Sequence, residues 1–481
     1  MPKTASPAPA IVWFRDDLRL ADNPALAAAC RDGRPVVLVY LLDEESAGIR
    51  PHGGAARWWL HHSLAALSGE LATSGQTLVL KQGEAAKIIP KLARSLRAVR
   101  VYWNRRYGPA KAVDDAVTAA LARSRIGVDT FAANFLFEPG TVINEAGEPC
   151  QAFADFWHVA NAGGDPRRPL PIPHKIEPGP AVADSVPLHA LGLLPKGPDW
   201  AHDIRDTWHP GERGAMTNLD RFVWHLADYA ERDTPSVNAT SMLSPHLRFG
   251  EVSPFQVWHA VANAPPEAVE VRDKFLSELG RREFAWHLLA ARPDLATANL
   301  KPAYDRFAWG EAYAEEMWAW RRGRTGYPIV DAGMRQLWQK GWMHNRVRMI
   351  VASFLVKHLL VDWRIGEEWF WDTLVDADGA SNPVNWQWVA GSGVDAQPFF
   401  HVFNPVLQGE KFDPDGTYVR RYVPELARLP SRYIHKPWMA SSAILTEAGV
   451  FLRRDYPSPI VDHAEARERA LGAFARMKEA G

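Results

Sequence analysis

The chain has 481 residues, enough for two or three domains, and its 55 basic and 56 acidic residues leave it almost neutral. Net charge therefore gives no indication of a nucleic-acid partner, and any site for one would have to be a local basic patch. No apolar run reaches the roughly 18 residues that cross a bilayer. The opening MPKTASPAPA lacks the apolar core of a signal peptide, and the two cysteines match no metal or redox spacing. We expect a soluble cytoplasmic protein.

The N-terminal third alternates strand and helix patterns. Polar residues bound four apolar runs, and Leu and Ala repeat with helical spacing between them. This alternation predicts an α/β domain with a doubly wound parallel sheet over 8–135. Neither a G-x-G-x-x-G segment after the first run nor a Walker A segment is present, which argues against a nucleotide in the usual place. The four runs are 11–20, 35–43, 77–83 and 98–104.

Proline marks the next segment, because residues 136–200 hold eleven of the 37 prolines. Such a density blocks helix and central strand, so we interpret 136–205 as an interdomain linker lying over a surface. Beyond it, apolar positions recur at i, i+3 and i+4, as in KFLSELGRREFAWHLL. The remainder, 206–481, is therefore predicted to be an all-α domain.

Hydroxyl side chains cluster in ATSMLSPHLRFG. Ser244 precedes a proline suited to a first helical turn, and Thr240 and Ser241 lie just before it. A helix start of this kind can bind an anion, typically a phosphate. An ordinary helix cap is the alternative.

GWMHNRVRMIVASFLVKHLL places a charge on an otherwise apolar helix. Asn345 and Met349 are i, i+4 neighbours, and Arg348 lies beside them. An unpaired buried charge is very costly, so Arg348 should pair with Asp376 or Asp378. A surface ion pair is the alternative.

DADGASNPVNWQW combines acids, amides and tryptophans in a stretch too broken by glycine and proline to be one helix. In extended chain Trp386 and Trp388 would share a face, whereas on a helix they would diverge. An aromatic pair near Asn345 and Met349 could form a stacking platform. Packing in the core is the alternative for this pair. Glu278, in the middle of an amphipathic helix, could exchange a proton in a cavity or simply be solvated.

Together these segments resemble the photolyase/cryptochrome family, most closely a bacterial cyclobutane pyrimidine dimer photolyase. The resemblance covers nearly the whole chain. It implies an α/β antenna domain joined to a helical FAD-binding domain. The segments that carry it are IVWFRDDLRLADNPAL, ATSMLS, GYPIVDAGMRQLWQKGWMHNRVRMIVASFLVKHLLVDWR, NWQWVAGSG and FNPVLQGEKFDPDGTYVRRYVPEL.

The resemblance implies a site for FAD in the helical domain. Arg348 would pair with Asp376 near the isoalloxazine, with Asp378 also at the flavin and Asn382 facing its N5. The implied electron-transfer chain is Trp386, Trp363 and Trp309, of which Trp309 is offset by one residue from the expected spacing. The residues implied at the diphosphate end are Tyr229, Thr240, Ser241, Leu243 and Ser244.

In photolyases a light-excited reduced flavin donates an electron to a pyrimidine dimer flipped out of DNA, the dimer splits, and the electron returns. Glu278 would stabilise the dimer radical anion, and Asn345, Met349 and Trp388 would contact the lesion. Enzymes for (6-4) photoproducts carry histidines at positions 345 and 349, and plant cryptochromes tend to carry aspartate at position 382. The chain therefore resembles a cyclobutane dimer enzyme. We expect DNA that contains pyrimidine dimers as its partner, and a monomeric protein.

Two substrate-side residues depart from the family pattern. Arg281 replaces a lesion-stacking tryptophan, and His401 stands where arginine is common. They favour the rival hypothesis of a cryptochrome-like photoreceptor without repair. A lesion-binding protein without turnover is a third hypothesis. The resemblance also implies an antenna pigment in the N-terminal domain, more often a folate such as methenyltetrahydrofolate than a deazaflavin.

Overall fold

A computed structural model describes residues 7–264, 268–311, 313–395 and 400–479. The chain divides into two compact units, each built from two stretches of sequence. The sheet unit comprises Met1–Leu226 and Ser241–Pro293, and the helical unit comprises Ala227–Thr240 and Asp294–Gly481. No helix among the described residues combines the length and apolarity needed to cross a membrane.

Five parallel strands form the sheet, in the order β3-β2-β1-β4-β5. Ile11 on β1 lies opposite Val37 on one side and Val101 on the other, so the chain winds away from β1 in both directions. The sheet is covered on both faces, and the all-apolar VVLVYLL of β2 is therefore buried along its full length. The predicted doubly wound sheet is confirmed. The strands are β1 Ala10–Phe14, β2 Val36–Leu42, β3 Leu78–Gln82, β4 Arg100–Asn104 and β5 Gly127–Phe131.

Four α-helices connect the strands, and the described part of the sheet unit holds six more α-helices. The connecting helices are α1 Pro24–Arg31, α2 Gly54–Thr73, α3 Ala85–Ser95 and α4 Pro109–Arg123. The others are α5 Phe153–Asn161, α6 His202–Thr207, α7 Glu212–Trp224, α8 Ser244–Arg248, α9 Pro254–Ala262 and α10 Val269–Ala291. Helix α5 lies inside the predicted linker, in a stretch that contains no proline.

The proline-rich segment runs along the sheet. The Val36 amide donates to the Glu177 carbonyl at 2.8 Å, and the Gly179 amide donates back to the Val36 carbonyl at 3.0 Å. A Cβ at Gly179 would lie 2.7 Å from the Val36 carbonyl oxygen, so this close approach requires glycine. Further along, the Val186 amide donates to the Leu80 carbonyl at 2.9 Å. Backbone hydrogen bonds thus hold the segment against β2 and β3.

The helical unit packs around α12 and α13. A Cβ at Gly333 would lie 2.5 Å from Val347 Cγ1, so the glycine allows these two helices to approach closely. After α13 the chain continues through a π-helical turn, Phe354–His358, which is fully buried. The helices are α11 Ala314–Arg322, α12 Pro328–Lys340, α13 Asn345–Ser353, α14 Trp363–Thr373, α15 Ser381–Ala390, α16 Pro405–Phe412, α17 Thr417–Tyr422, α18 Ser431–Ile434, α19 Ser442–Ala448 and α20 His463–Glu479.

Candidate active site

An ion pair joins α13 to the turn that precedes α15. Arg348 Nη2 donates to Asp376 Oδ2 at 2.8 Å, and Arg348 Nε donates to the Met343 carbonyl at 2.7 Å. The Asp376 side chain is 4% exposed and that of Arg348 is 25% exposed. Asp376 is thus the carboxylate that the charged helix position predicted, and the pair is largely shielded from water rather than at the surface.

Helix α13 begins at a buried histidine. His344 occupies the N-cap position, and its Nδ1 accepts from the Arg346 amide at 3.2 Å. Burial lowers the pKa of His344 to about 4, so the imidazole is neutral at physiological pH and can act as this acceptor. The cap thereby fixes the first turn, which presents Asn345 at its exposed start.

Asp378 determines where α15 starts. Its Oδ1 accepts from the amides of Ala380 at 2.8 Å and Ser381 at 2.6 Å, so the carboxylate satisfies donors at the helix N-terminus. Pro383 falls within the first helical turn, where proline is tolerated. The stretch is broken, as predicted, but a helix occupies its second half.

Trp386 and Trp388 do not share a face, because the segment that holds them is helical rather than extended. Both lie on α15, where residues two apart point in different directions. Trp386 is 2% exposed in the core, whereas Trp388 is half-buried and its Nε1 donates to the Asp395 carbonyl at 3.2 Å. The two tryptophans therefore have separate surroundings.

The amide of Asn382 is held in one orientation by Glu367. Asn382 Nδ2 donates to the Glu367 carbonyl oxygen at 3.0 Å and to Glu367 Oε1 at 2.8 Å. Both side chains are buried. Because the acidic partner engages the N–H side of the amide, the group that remains to face a ligand is the Oδ1 acceptor. Sequence reasoning missed Glu367, and nothing in GEEWFW separates it from the exposed Glu368.

Trp363 and Trp386 lie on the packed helices α14 and α15. A Cβ at Gly366 would fall 2.2 Å from Trp386 Cη2, so the indole rests directly on the α14 backbone. Trp363 is fully buried, and its Nε1 donates to Asn299 Oδ1 at 3.0 Å. Trp309 is partly buried and packs against the same core. The structure thus places all three predicted electron-transfer residues in or against one hydrophobic core.

Substrate-side residues of the helical unit line a cavity of about 520 Å³. Met349, Trp388 and His401 contribute to its wall, together with Arg346. Arg346 also pairs with Asp233 at 2.9 Å. Asn345 is exposed at the start of α13, one turn from Met349. The cavity is large enough for a small ligand or for part of a larger one.

Glu278 lies on α10 of the sheet unit, between two cations. Lys274 Nζ approaches Glu278 Oε1 at 2.5 Å, and Arg281 Nε approaches Oε2 at 3.4 Å. The Arg281 guanidinium also lies 4.2 Å from the centre of the Phe153 ring, which stacks on Trp157. The half-exposed arginine is therefore positioned by an aromatic surface and a carboxylate.

The hydroxyl side chains before α8 do not form the helix cap that the sequence predicted. Helix α8 begins at Ser244 itself, and its N-cap is Leu243, whose side chain cannot accept a hydrogen bond. The cap predicted for Ser244 is therefore wrong. Ser241 accepts from the Leu243 amide at a long 3.4 Å. Tyr229, which is buried, and Thr240, which is half-buried, belong to the helical unit.

Two known protein families match this chain, one in each half of the sequence. Residues 10–174 match the family described as DNA photolyase, and residues 275–476 match the FAD binding domain of DNA photolyase. A deoxyribodipyrimidine photo-lyase from Agrobacterium fabrum is 52% identical over 476 residues, covering 98% of each chain. The chain belongs to the DNA photolyase/cryptochrome family.

Relatives in this family include both photolyases and cryptochromes. Cryptochrome-1 from Arabidopsis thaliana is 40% identical, and the match covers 97% of this chain and 70% of the relative. The crystal structure of a bacterial class III photolyase from Agrobacterium tumefaciens superposes with a TM-score of 0.95 at 49% identity. It covers 100% of this chain and 99% of that one. The fold of both units is thus that of a photolyase.

Proposed function

We propose that the chain is a flavin-dependent photolyase that splits cyclobutane pyrimidine dimers in DNA under light. The observation that carries the proposal is the Asn382 amide, held by Glu367 with its Oδ1 as the remaining acceptor. An aspartate at this position is the choice of plant cryptochromes. The named activities of the Agrobacterium relatives support the same reaction class.

The residues of the helical unit fit FAD. An Oδ1 acceptor suits the N5–H of a reduced flavin, and the Arg348–Asp376 pair offers both charge signs to polar flavin edges. When bound, FAD supplies the light-driven electron for splitting the dimer. Asp378 would also lie at the flavin, and the residues proposed for the diphosphate end are Tyr229, Thr240, Ser241, Leu243 and Ser244.

The lesion would be held by residues already described. Met349 and Trp388 line the cavity and offer apolar and aromatic surface to a flipped base, and Asn345 offers an amide. The Glu278 carboxylate would accept a hydrogen bond from a base N–H, and so help to balance charge that develops on the dimer. We propose Trp386, Trp363 and Trp309 as the chain that reduces the flavin.

The domain organisation is part of this proposal. We assign residues 8–135 to an antenna-binding domain, 136–205 to a linker and 206–481 to the catalytic domain. A folate such as methenyltetrahydrofolate is the preferred antenna pigment over a deazaflavin. The protein would act as a cytoplasmic monomer on DNA that contains dimers.

A blue-light photoreceptor without repair activity is the second candidate. Arg281 and His401 favour it, because both stand at substrate-side positions where the family pattern has other residues. The 40% identity to Arabidopsis cryptochrome-1 is consistent with this candidate too.

A repair assay separates the two candidates. Chemically reduced protein and an oligonucleotide with one thymine dimer are illuminated with blue light, and recovery of thymine absorbance is followed beside a dark sample. We expect recovery only in light and a large loss of rate in Glu278→Gln, with Glu270→Gln, an exposed change on the same helix, as the matched control. Flavin that binds and is photoreduced without any recovery would favour the photoreceptor. Repair that is unaffected by Glu278→Gln would contradict the proposed role of Glu278.

A further inference from the structure

The cavity of the helical unit is strongly cationic. Among the described residues that line it, five are lysine or arginine and none is acidic. Six aromatic side chains complete much of the wall, including Trp388 and Phe400. Within the described part of the chain, no carboxylate lies within salt-bridge distance of the four lysines, whereas the arginine is paired with Asp233. The cations are Lys301, Arg346, Lys357, Lys411 and Lys478.

One face of α13 and the following π-helical turn forms the floor of this cavity. Met349, Ser353 and Lys357 are spaced four residues apart, and all three line the cavity. The cavity therefore extends two turns beyond Met349, the residue proposed to contact the lesion. Both Ser353 and Lys357 are only 2% exposed.

Neither the Ser353 hydroxyl nor the Lys357 ammonium makes all the hydrogen bonds that it could make. Ser353 Oγ is buried without a hydrogen-bond partner among the described residues. Lys357 Nζ donates to the Ala390 carbonyl at 3.0 Å and lies 3.2 Å from the centre of the Phe400 ring. An ammonium has three protons, and burial lowers the pKa of Lys357 well below its usual value. A buried hydroxyl and a buried cation without a carboxylate are both unfavourable unless a ligand completes them.

A phosphate group is the ligand that fits these features. It offers several acceptor oxygens and negative charge, which the Ser353 hydroxyl and the Lys357 ammonium can engage together. The aromatic wall at Trp388 and Phe400 suits a nucleobase attached to that phosphate. A carboxylate ligand would satisfy the charge but would make no use of the aromatic wall.

We propose that Ser353 and Lys357 form a phosphate subsite at the floor of this cavity, which takes the phosphate of a nucleotide. The subsite deepens the proposed function, and rests on it, because Met349 and Trp388 line the same cavity. The phosphate belongs either to the backbone of the lesion strand or to a free nucleotide, and both sources offer the same oxygens.

Binding in the dark tests the subsite without repair. Fluorescence anisotropy measures the Kd of a short single strand with one thymine dimer, at several NaCl concentrations, for the wild type, Ser353→Ala and Lys357→Met. Lys91→Met, at an exposed position of α3, is the charge-matched control, and Lys357→Arg restores the charge. Ser353→Ala removes an unsatisfied hydroxyl, and Lys357→Met keeps an unbranched chain beside the Phe400 ring but takes the donor from the Ala390 carbonyl, so the Tm of each variant is compared with that of the wild type.

We expect Lys357→Met to weaken binding about tenfold. The slope of log K against log salt should fall by about 0.7, as for one lost phosphate contact on a single strand. Ser353→Ala should weaken binding less, Lys91→Met should match the wild type, and Lys357→Arg should recover much of the affinity. Unchanged affinity and salt slope in both test variants would overturn the subsite for DNA.

Two further probes identify the source of the phosphate. Thymidine 5′-monophosphate should raise the Tm of the wild type but not of Lys357→Met if the site takes free nucleotides, with thymidine as the phosphate-free control. Effects confined to the oligonucleotide would assign the phosphate to the DNA backbone. If the wild type shows no preference for the dimer strand, the proposed function fails, and the nucleotide Tm shift still decides the subsite. No response in either probe overturns it.

Discussion

Removal of the Asp376 carboxylate should destabilise the start of α13 by about 2 kcal/mol. A hydrogen bond to a charged group contributes about 1.5–3 kcal/mol, and breaking a fully buried ion pair costs about 3–5 kcal/mol. Asp376 is 4% exposed, but a quarter of the Arg348 side chain contacts water and its Nε retains the Met343 carbonyl. Because Arg348 is partly hydrated, we expect the loss of stability in Asp376→Ala to lie in the lower of these two ranges.

Hydrogen exchange followed by mass spectrometry measures this locally, which suits a chain with two compact units. Amides of α13 should exchange up to about 30-fold faster in Asp376→Ala, as about 2 kcal/mol requires. In a double-mutant cycle with Arg348→Met, the two losses should not add, leaving a coupling free energy of about 1.5 kcal/mol.

The exposed pair Arg454–Asp455 provides the comparison. Its side chains are 68% and 29% exposed, so water and salt screen the pair and its coupling should be far smaller than that of the shielded pair. A coupling between Arg348 and Asp376 that is no larger would refute the reasoning. The two residues would then form an ordinary surface pair, and a charge on an apolar helix would be a poor guide to a buried partner.

Three other predictions concern buried polar and aromatic groups. Glu367→Gln should lower the free energy of opening of α15 by about 1 kcal/mol in the same exchange experiment, because Asn382 Nδ2 loses a charged acceptor. Trp386→Phe should slow light-driven reduction of bound flavin by at least about tenfold in transient absorption, since an indole donor is lost. Burial lowers the pKa of His358 to about 3, so its neutral form stabilises the fold fully above pH 6.5 and progressively less as pH falls toward 3. His358→Gln should flatten that acid limb of the unfolding free energy.

Each of these has a matched control. Glu368→Gln changes an exposed acid on α14, and an equal effect there would argue against the Asn382 contact. Trp320→Phe alters a buried indole 6.5 Å from Trp386, and equal slowing would mean that packing rather than electron transfer is responsible. His202→Gln changes an exposed histidine, and an acid limb that persists in His358→Gln would show that other groups titrate.

The sheet could be predicted because buried parallel strands are nearly continuous apolar runs. The ends of the strands could not be predicted, as the first apolar run shows. The pattern extends over 11–20, but β1 ends at Phe14, and the Arg15 amide then donates to Asp17 Oδ1. Leu18 and Leu20 are buried outside the strand, so their hydrophobicity lengthens the run without lengthening β1.

Local sequence did not predict α15. Glycine and proline in DADGASNPVNWQW indicated that the stretch is not one helix, but not that its second half is helical, where the Asp378 carboxylate accepts from the Ser381 amide and Pro383 lies where proline is tolerated. The sequence feature that could have indicated this helix is Asp378, which lies shortly before Pro383 in the first helical turn. Glu367 offered no signal, because its contact with Asn382 depends on how α14 packs on α15.

Arg281 shows why a departure from a family pattern cannot be interpreted one residue at a time. Its guanidinium lies over Phe153 and beside Glu278, so the arginine has an aromatic surface that a sequence comparison does not reveal. Restoring tryptophan there would also remove one of the two cations beside the proposed catalytic carboxylate, leaving Lys274 alone. An Arg281→Trp protein would therefore change both the stacking surface and the charge around Glu278. Only a comparison with Arg281→Leu, which loses the charge without gaining an indole, separates the two effects.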